Sequence, residues 1–261
     1  MKSNYHTHTE RCHHAVGSDE DYVISAIKGG YEELGFSDHS CWQYNSNFQS
    51  GIRMKVEEFD DYYQSITVLK EKYKDQIRIK IGLECEYFPE YMDWLQSFIR
   101  EKKLDYIIFG NHFCGSDEHR LYYGRICDND EMLKQYVDDA IVGLSTGLYS
   151  YLAHPDLFMR GRHRFDAYAK QQSKRLCQWC KEHDVVLEYN LEGARCNDEY
   201  HVVEYPYPEF WKIAAECGNK VIIGVDAHDN HSLERDDYRN QALTFLNALK
   251  LTIIDEIPLK F

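Results

Sequence analysis

The sequence lacks the features of a membrane protein and of a nucleic-acid-binding protein. None of its apolar runs approaches the roughly 20 residues that a membrane-spanning helix needs. Its 30 lysines and arginines are outnumbered by 44 acidic residues and form no cluster that could follow a phosphate backbone. We interpret the net charge of −14 as solvated surface. No signal-peptide pattern precedes the first predicted strand, so we expect a cytoplasmic protein without a nucleic-acid or membrane partner.

The sequence also offers little support for a cysteine-based site. The nine cysteines are odd in number and scattered, which is typical of reduced thiols. Cys177 and Cys180 have a tempting spacing, with His183 beyond them, but they lie in a helical pattern. No second cysteine pair completes a set of four ligands. We interpret these residues as thiols on a helix face, with a metal or redox site as the less favoured reading.

Strand-like and helix-like stretches alternate along the whole chain. We predict seven strands, over residues 3–8, 34–38, 77–83, 105–110, 149–153, 185–189 and 220–225. We predict helices over residues 21–28, 56–72, 91–101, 130–144, 167–183, 208–217 and 233–249. Such alternation predicts an α/β fold with a parallel sheet and outer helices. Seven strands favour a barrel of seven units. We see no repeat or linker, so we expect one domain over residues 1–261.

Residues that commonly bind metal ions follow the predicted strands. The nine candidates are His6, His8, His14, His39, Glu84, His112, His154, Asp226 and His228. His6 and His8 alternate along a strand, so both point to one face, and Asp226 and His228 repeat this arrangement. Buried histidines with ordinary hydrogen bonds are common, but so many at strand ends indicate one multinuclear site at the end of a barrel. Imidazoles with few carboxylates favour zinc, iron or manganese over calcium or magnesium.

The order of these positions resembles the polymerase-and-histidinol-phosphatase (PHP) superfamily and, within it, the histidinol-phosphate phosphatases. The resemblance runs from residue 5 to about residue 230. It is carried by the motifs His6-x-His8-x₅-His14-Ala15, Phe36-Ser37-Asp38-His39-Ser40, Gly82-Leu83-Glu84, Gly110-Asn111-His112-Phe113, Ala153-His154-Pro155 and Gly224-Val225-Asp226-Ala227-His228. The resemblance implies a distorted (β/α)₇ barrel with three divalent metal ions.

The resemblance also implies how the ligands are divided. One metal ion would be held by His6, His8, Glu84 and Asp226. A second would share Glu84 as a bridging ligand and add His112 and His154. The third would be held by His14, His39 and His228. Glu84, Asp226 and His228 are the residues that we predict to be catalytic.

His13 and Asp38 are each next to a predicted ligand in the sequence. His13 stands beside His14, but the family spacing and the following Ala15 favour His14 as the ligand. We interpret Asp38 as a residue that orients a ligand or supports its loop, because carboxylates often do this for metal-bound histidines.

The expected charge of the centre favours a phosphate ester as substrate. Three divalent ions would bring about six positive charges, against two carboxylates among the nine ligands. The surplus suits a dianion. The resemblance implies hydrolysis of L-histidinol phosphate to L-histidinol and phosphate in histidine biosynthesis. Open alternatives are another small ester, such as a nucleotide or sugar phosphate, and a metal-binding protein without catalysis.

Substrate contacts are expected around the sixth predicted strand and the motif at His154. The segment from Asn190 to Arg195 resembles the family sequence Asn-Thr-Ser-Gly-Leu-Arg, with departures at Leu191, Glu192 and Ala194. We predict that Arg160, Arg195 and Asn190 contact the substrate, because guanidinium groups offer forked donors to phosphate. Arg162 is a further candidate for this contact.

Two more features bear on substrate binding. Histidinol phosphate carries an amine, for which Glu192 or Asp156 could supply a carboxylate. The two long segments 40–55 and 114–128 are rich in aromatic residues and follow predicted strands. We expect them either to shape substrate access or to be surface loops with packed aromatic residues.

Overall fold

Eight parallel strands form one curled sheet in the computed structural model, which describes residues 1–260. The strands are β1 (Ser3–Asn4), β2 (Glu33–Phe36), β3 (Arg78–Cys85), β4 (Tyr106–Gly110), β5 (Tyr151–Ala153), β6 (Val186–Asn190), β7 (Lys220–Gly224) and β8 (Thr252–Ile253). Each strand pairs with the next one along the chain. A parallel bridge between Thr7 and Ala227 joins the segments that follow β1 and β7, so the sheet curls into a distorted barrel.

Ten α-helices are found in residues 1–260, mostly in the connections between strands. They are α1 (Asp19–Lys28), α2 (Phe59–Lys72), α3 (Met92–Lys102), α4 (Tyr123–Ile126), α5 (Asp130–Ser145), α6 (Met159–Arg162), α7 (Ala167–Glu182), α8 (Leu191–Glu199), α9 (Pro208–Cys217) and α10 (Asp237–Ala248). Side-chain caps mark several starts: Ser18 caps α1, Asn129 caps α5 and Asp166 caps α7. No helix in residues 1–260 combines the length and the apolar character needed to cross a bilayer.

The α/β barrel predicted from the sequence is confirmed, with an addition. All seven predicted strands are present, although β1 is shorter than expected. The added strand, β8, has two residues and pairs with Lys220 and Val221 at the start of β7. The short helices α4, α6 and α8 were also not predicted. They follow β4, β5 and β6, and they bring extra residues to the carboxyl ends of those strands.

Tyrosine side chains fill the barrel below the strand ends. The Tyr106 hydroxyl donates to the carbonyl oxygens of Tyr5 and Phe36, at 2.8 and 3.0 Å. The ring fits because Gly82 lacks a side chain: a Cβ atom there would lie 2.6 Å from Tyr106 Cε1. A larger apolar core lies between the sheet and the helices. The packed interior leaves the carboxyl ends of the strands as the polar end of the barrel.

Candidate metal centre

The Glu84 carboxylate, at the end of β3, lies at the centre of a cluster of histidines. Its Oε1 atom lies 3.0 Å from His154 Nε2, 3.3 Å from His112 Nε2 and 3.5 Å from His6 Nε2. Its Oε2 atom lies 3.0 Å from His39 Nδ1. The side chain is fully buried. One carboxylate therefore contacts histidines from four different strand ends.

Asp226 joins the two histidines that follow β1. Its Oδ1 atom lies 3.1 Å from His8 Nε2 and 3.3 Å from His6 Nε2. His8 also stacks on His228, with ring centroids 4.1 Å apart, and His228 Nε2 lies 3.1 Å from His14 Nε2. The structure thus brings all nine residues predicted from the sequence into one cluster.

The donor atoms of this cluster fit metal ions. Four ligands of a tetrahedral zinc ion with bonds of ~2.1 Å are about 3.4 Å apart. The contacts of Glu84 and Asp226 with histidine fall between 3.0 and 3.6 Å. Several of these atoms are buried without a well-formed hydrogen bond to any part of residues 1–260, namely His6 Nε2, His8 Nε2, His39 Nδ1, Glu84 Oε2 and Asp226 Oδ1. Buried polar atoms in proteins are normally satisfied, so these atoms are suited to a bound cation.

Six groups of potential ligands have all their donor atoms within 4.8 Å of one another, among them three that contain only predicted ligands. These three are His6 with His8 and Asp226, His6 with Glu84 and His154, and His8 with His39 and His228. These groups overlap the three ligand sets implied by the family resemblance. Divalent metal ions are therefore supported, and their number is part of the proposal below.

The carboxylates of the cluster favour a proton or a metal ion on His6, His8 and His112, which have raised pKa values. Burial and neighbouring histidines instead lower the pKa of His14, His39 and His228. Burial lowers the pKa of His6, but Asp226, Glu188 and Glu84 outweigh it and raise that pKa well above the ordinary value. Burial raises the pKa of Glu84, yet the surrounding histidines hold it well below the ordinary value. A metal ion would replace these protons, so metal binding is expected to release protons.

Three carboxylates outside the cluster each contact the Nδ1 atom of one clustered histidine, on the side of the ring away from the Nε2 atom that faces Glu84 or Asp226. The pairs are Glu188 with His6 at 2.8 Å, Glu86 with His112 at 3.0 Å and Asp38 with His8 at 3.4 Å. A carboxylate behind a histidine orients the ring and makes it a better metal ligand. Of these three carboxylates, Asp38 was predicted from the sequence to orient a ligand, whereas Glu188 and Glu86 were not. A single glutamate inside an otherwise apolar strand was the available signal for Glu188.

Arg53 is buried behind two of the candidate ligands. Its Nη2 and Nη1 atoms donate to the two oxygens of Glu86, at 2.8 and 3.1 Å. Nη1 also donates to the carbonyl oxygen of Ser40, next to His39, and Nε donates to Asp117 at 3.0 Å. Arg53 thus fixes Glu86, which holds His112, and the backbone beside His39.

We expect Arg53→Lys to weaken metal binding by about 10- to 100-fold, because a lysine cannot hold both oxygens of Glu86 and the Ser40 carbonyl together. Equilibrium dialysis followed by elemental analysis measures the affinity. Arg162→Lys is the matched control, since Arg162 is also buried but pairs with Asp130 and Asp166. Equal metal affinities in the two variants would contradict this role for Arg53.

Two candidate ligands have a backbone conformation that is uncommon for their residue type. His154 has φ of 30° and Asp226 has φ of 54°. Such conformations cost about 1–3 kcal/mol each and are concentrated at functional sites. The side chain of Asp226 is also held from behind, because Asn190 Nδ2 donates to its Oδ2 atom at 3.0 Å. This leaves Oδ1 directed to the histidines.

The cluster opens into a cavity of about 670 Å³. Both long segments, for which we expected either a role in substrate access or packed surface loops, line the cavity: segment 40–55 contributes Phe48, and segment 114–128 contributes Arg120, Tyr122 and Arg125. Arg160 also lines the cavity and donates to the Tyr122 hydroxyl at 3.3 Å. It remains a candidate for phosphate binding.

The other predicted substrate contacts do not line this cavity. Arg195 lines a separate small pocket and pairs with Glu192 and Glu199 of its own helix, α8. Asn190 does not line the cavity, because its side chain bonds to Glu188 and Asp226 and caps α8. Arg162 is buried in its two ion pairs, away from the cavity lining.

The two carboxylates suggested for the substrate amine are also engaged. Glu192 lines the cavity, but Arg195 holds both of its oxygens, at 2.8 and 2.6 Å. Asp156 is buried away from the cavity lining and accepts a hydrogen bond from the Tyr207 amide. Burial raises the pKa of Asp156 to about 7. Neither residue presents a free carboxylate to the cavity.

The remaining alternatives concern His13 and the cysteines of α7. His13 is exposed at the end of a short 3₁₀ helix, whereas His14 contacts His228. Cys177 and Cys180 are buried as free thiols, and burial raises the pKa of both. They pack in the apolar core between the sheet and the helices.

Comparison with known proteins identifies the family. The PHP domain model matches residues 4–192, and the chain belongs to this family. A probable histidinol-phosphatase of Deinococcus radiodurans is 25% identical over 249 residues, which are 85% of each chain. The histidinol-phosphatase of Bacillus subtilis is 29% identical over 258 residues, covering 87% of this chain and 94% of the relative. The predicted family membership is thus confirmed.

Solved structures share the fold. The histidinol phosphate phosphatase of Lactococcus lactis, solved with zinc, L-histidinol and phosphate, superposes with a TM-score of 0.75 and 20% identity over 98% of both chains. The histidinol phosphatase homologue of Listeria monocytogenes gives a TM-score of 0.71 at 19% identity, over 90% of this chain and 98% of that chain. The curled barrel of parallel strands is therefore a fold that this chain shares with both of these proteins.

Proposed function

We propose that this chain is a single PHP domain that hydrolyses phosphate monoesters with the help of divalent metal ions. The observation that carries the proposal is the buried cluster of seven histidines and two carboxylates, which has unsatisfied donor atoms and opens into a cavity lined by arginine. L-histidinol phosphate is the specific substrate that we propose. Two relatives are named as histidinol-phosphatases, and the Lactococcus structure holds L-histidinol and phosphate.

We propose three metal ions, of zinc, iron or manganese, held by the nine residues of the cluster in the ligand sets given by the family resemblance. When bound, the ions would supply Lewis acidity that neutralises the phosphate charge and activates water. Glu84 would hold the first and second ions, because its Oε2 atom lies 3.6 Å from His8 of the first set and its Oε1 atom lies 3.0 Å from His154 of the second. Asp226 and His228 complete the residues that we propose to be catalytic.

The protein itself would orient the ester. Arg160 reaches the cavity beside Tyr122, and a guanidinium can donate two parallel hydrogen bonds to a phosphate. In the reaction, a water oxygen bonds to phosphorus, the ester oxygen leaves, and a proton from the water ends on the alcohol product. Glu188, Glu86 and Asp38 keep three histidine rings oriented during this exchange.

Elemental analysis combined with phosphate release from L-histidinol phosphate tests the proposal. We expect roughly two to three equivalents of zinc, iron or manganese per chain, rapid release, and loss of activity on chelation that is reversed by adding metal. Absence of metal after reconstitution would contradict the centre. Metal without turnover of any phosphate ester would favour a metal-binding protein without catalysis.

The described part of the cavity presents arginines and no free carboxylate that could bind the amine of histidinol phosphate. This observation favours a second substrate class. Sugar or nucleotide phosphates are then the alternative to histidinol phosphate. Comparing kcat/KM across a panel of esters separates the two. A preference for histidinol phosphate below about tenfold, or 1.4 kcal/mol, would contradict the specific assignment.

A further inference from the structure

Three arginines are among the residues that line the cavity. Arg120 and Arg125 come from segment 114–128, and Arg160 comes from α6. Helices α4 and α6 pack closely: a Cβ atom at Gly161 would lie 3.1 Å from the carbonyl carbon of Arg125. The cavity is therefore lined both by candidate metal ligands and by three positively charged side chains.

Two of these charges are not compensated within the protein. Arg160 pairs with Glu204 at 3.1 Å. Arg120 and Arg125 form no ion pair with a carboxylate among residues 1–260. In a chain with a net charge of −14, two arginines without such a partner beside one cavity are unexpected.

The acidic residues that line the same cavity are already engaged. Glu84 and Asp226 belong to the histidine cluster, and Arg195 holds Glu192. Asp117 accepts hydrogen bonds from Arg53 and from the Tyr44 hydroxyl. The free charge that lines the cavity is consequently positive.

The backbone of the segment that carries Arg120 is well anchored, although the Arg120 side chain is exposed. Phe113 and Tyr122 form an antiparallel bridge, and the Cys114 amide donates to the Leu121 carbonyl at 3.0 Å. The Tyr123 amide donates to the carbonyl of His112, at 2.7 Å. These bonds fix the backbone of the segment next to a candidate metal ligand, so Arg120 and Arg125 start from a defined backbone position near the cluster.

We propose that Arg120 and Arg125 form a second anion-binding subsite, which takes a carboxylate or a second phosphate of an ester whose reacting phosphate lies at the metal centre. This inference rests on the proposed phosphatase function and extends its substrate class to esters with two anionic groups. Guanidinium groups bind such anions through charge-assisted hydrogen bonds.

Two sugar esters that differ by one phosphate test the subsite, namely fructose 6-phosphate and fructose 1,6-bisphosphate. We expect the metal-loaded protein to favour the bisphosphate by at least about tenfold in kcat/KM, as one charge-assisted contact implies. The double variant Arg120→Gln/Arg125→Gln should lose this preference and keep its activity on the monophosphate. Arg100→Gln is the control, because Arg100 is exposed on α3 and also lacks a carboxylate partner.

Other outcomes would overturn the subsite. Equal kcat/KM values for the two esters would do so, as would a double variant that loses activity equally on both, since that indicates general attraction of anions. Calorimetric binding of both esters is measured on the same preparations. If no ester is turned over, the proposed function fails, whereas the binding preference and its loss in the double variant still decide the subsite.

Discussion

Replacing Glu84 with glutamine is expected to lower kcat/KM by roughly a thousandfold or more, because several kcal/mol of metal-dependent stabilisation of the transition state would be lost. The substitution keeps the shape of the side chain but removes its charge. Glu84 contacts histidines from four strand ends, so the loss should extend to more than one metal ion. His14→Ala is expected to cost less, because His14 is exposed and its ring nitrogen contacts one member of the cluster, His228.

Metal content and kcat/KM are measured together for Glu84→Gln and His14→Ala, in metal-supplemented buffer. Glu33→Gln serves as the control, since Glu33 is also a buried strand glutamate but bonds to Tyr5 and Arg78 away from the cluster. It should keep its metal and its activity. Comparable losses of activity in the first two variants, with equal metal contents, would contradict the bridging role of Glu84.

The fold could be predicted where the local pattern is strong. Strand β4 reads Tyr-Ile-Ile-Phe-Gly and is buried along its whole length, which is typical of a strand in a parallel sheet. Strand β8 could not be predicted, because two residues are too few to produce a pattern, and Thr252 and Ile253 owe their conformation to pairing with β7. Helices α4 and α6 have four residues each, so the same limit applies to them.

The candidate ligands could be predicted because parallel strands bring their carboxyl ends to one edge. The residues behind them depend on contacts between distant parts of the chain. Arg53 lies 33 residues from Glu86 and 64 residues from Asp117, and no local pattern connects them. For Arg195 the motif and the observed contacts point in different directions. Its motif resembles the family, but Glu192 stands where the family has serine and, together with Glu199, holds the guanidinium on the helix.

The second large effect is expected from Gly110→Ala, a change of one methyl group at the end of β4. A Cβ atom at Gly110 would lie 2.5 Å from His112 Cε1 and 2.7 Å from the carboxyl carbon of Glu84, and even closer to Glu84 Oε1. Its φ is not positive, so alanine is disfavoured by the close approach and not by the backbone conformation. Both side chains would have to move, and a displacement of about 1 Å can cost a hundredfold in rate.

Gly82→Ala separates this effect from a general loss of stability. Its Cβ atom would collide with the ring and the carbonyl oxygen of Tyr106, each at 2.6 Å, below the metal centre. We expect Gly82→Ala to lower the melting temperature and, while folded, to keep its metal content. Gly110→Ala should instead lose metal and activity at temperatures where circular dichroism indicates a folded chain. If the Gly110→Ala variant keeps a normal metal content and only its stability falls, the Glu84 carboxylate does not need the space beside Gly110. The position of Glu84 seen among the histidines would then not be required for metal binding.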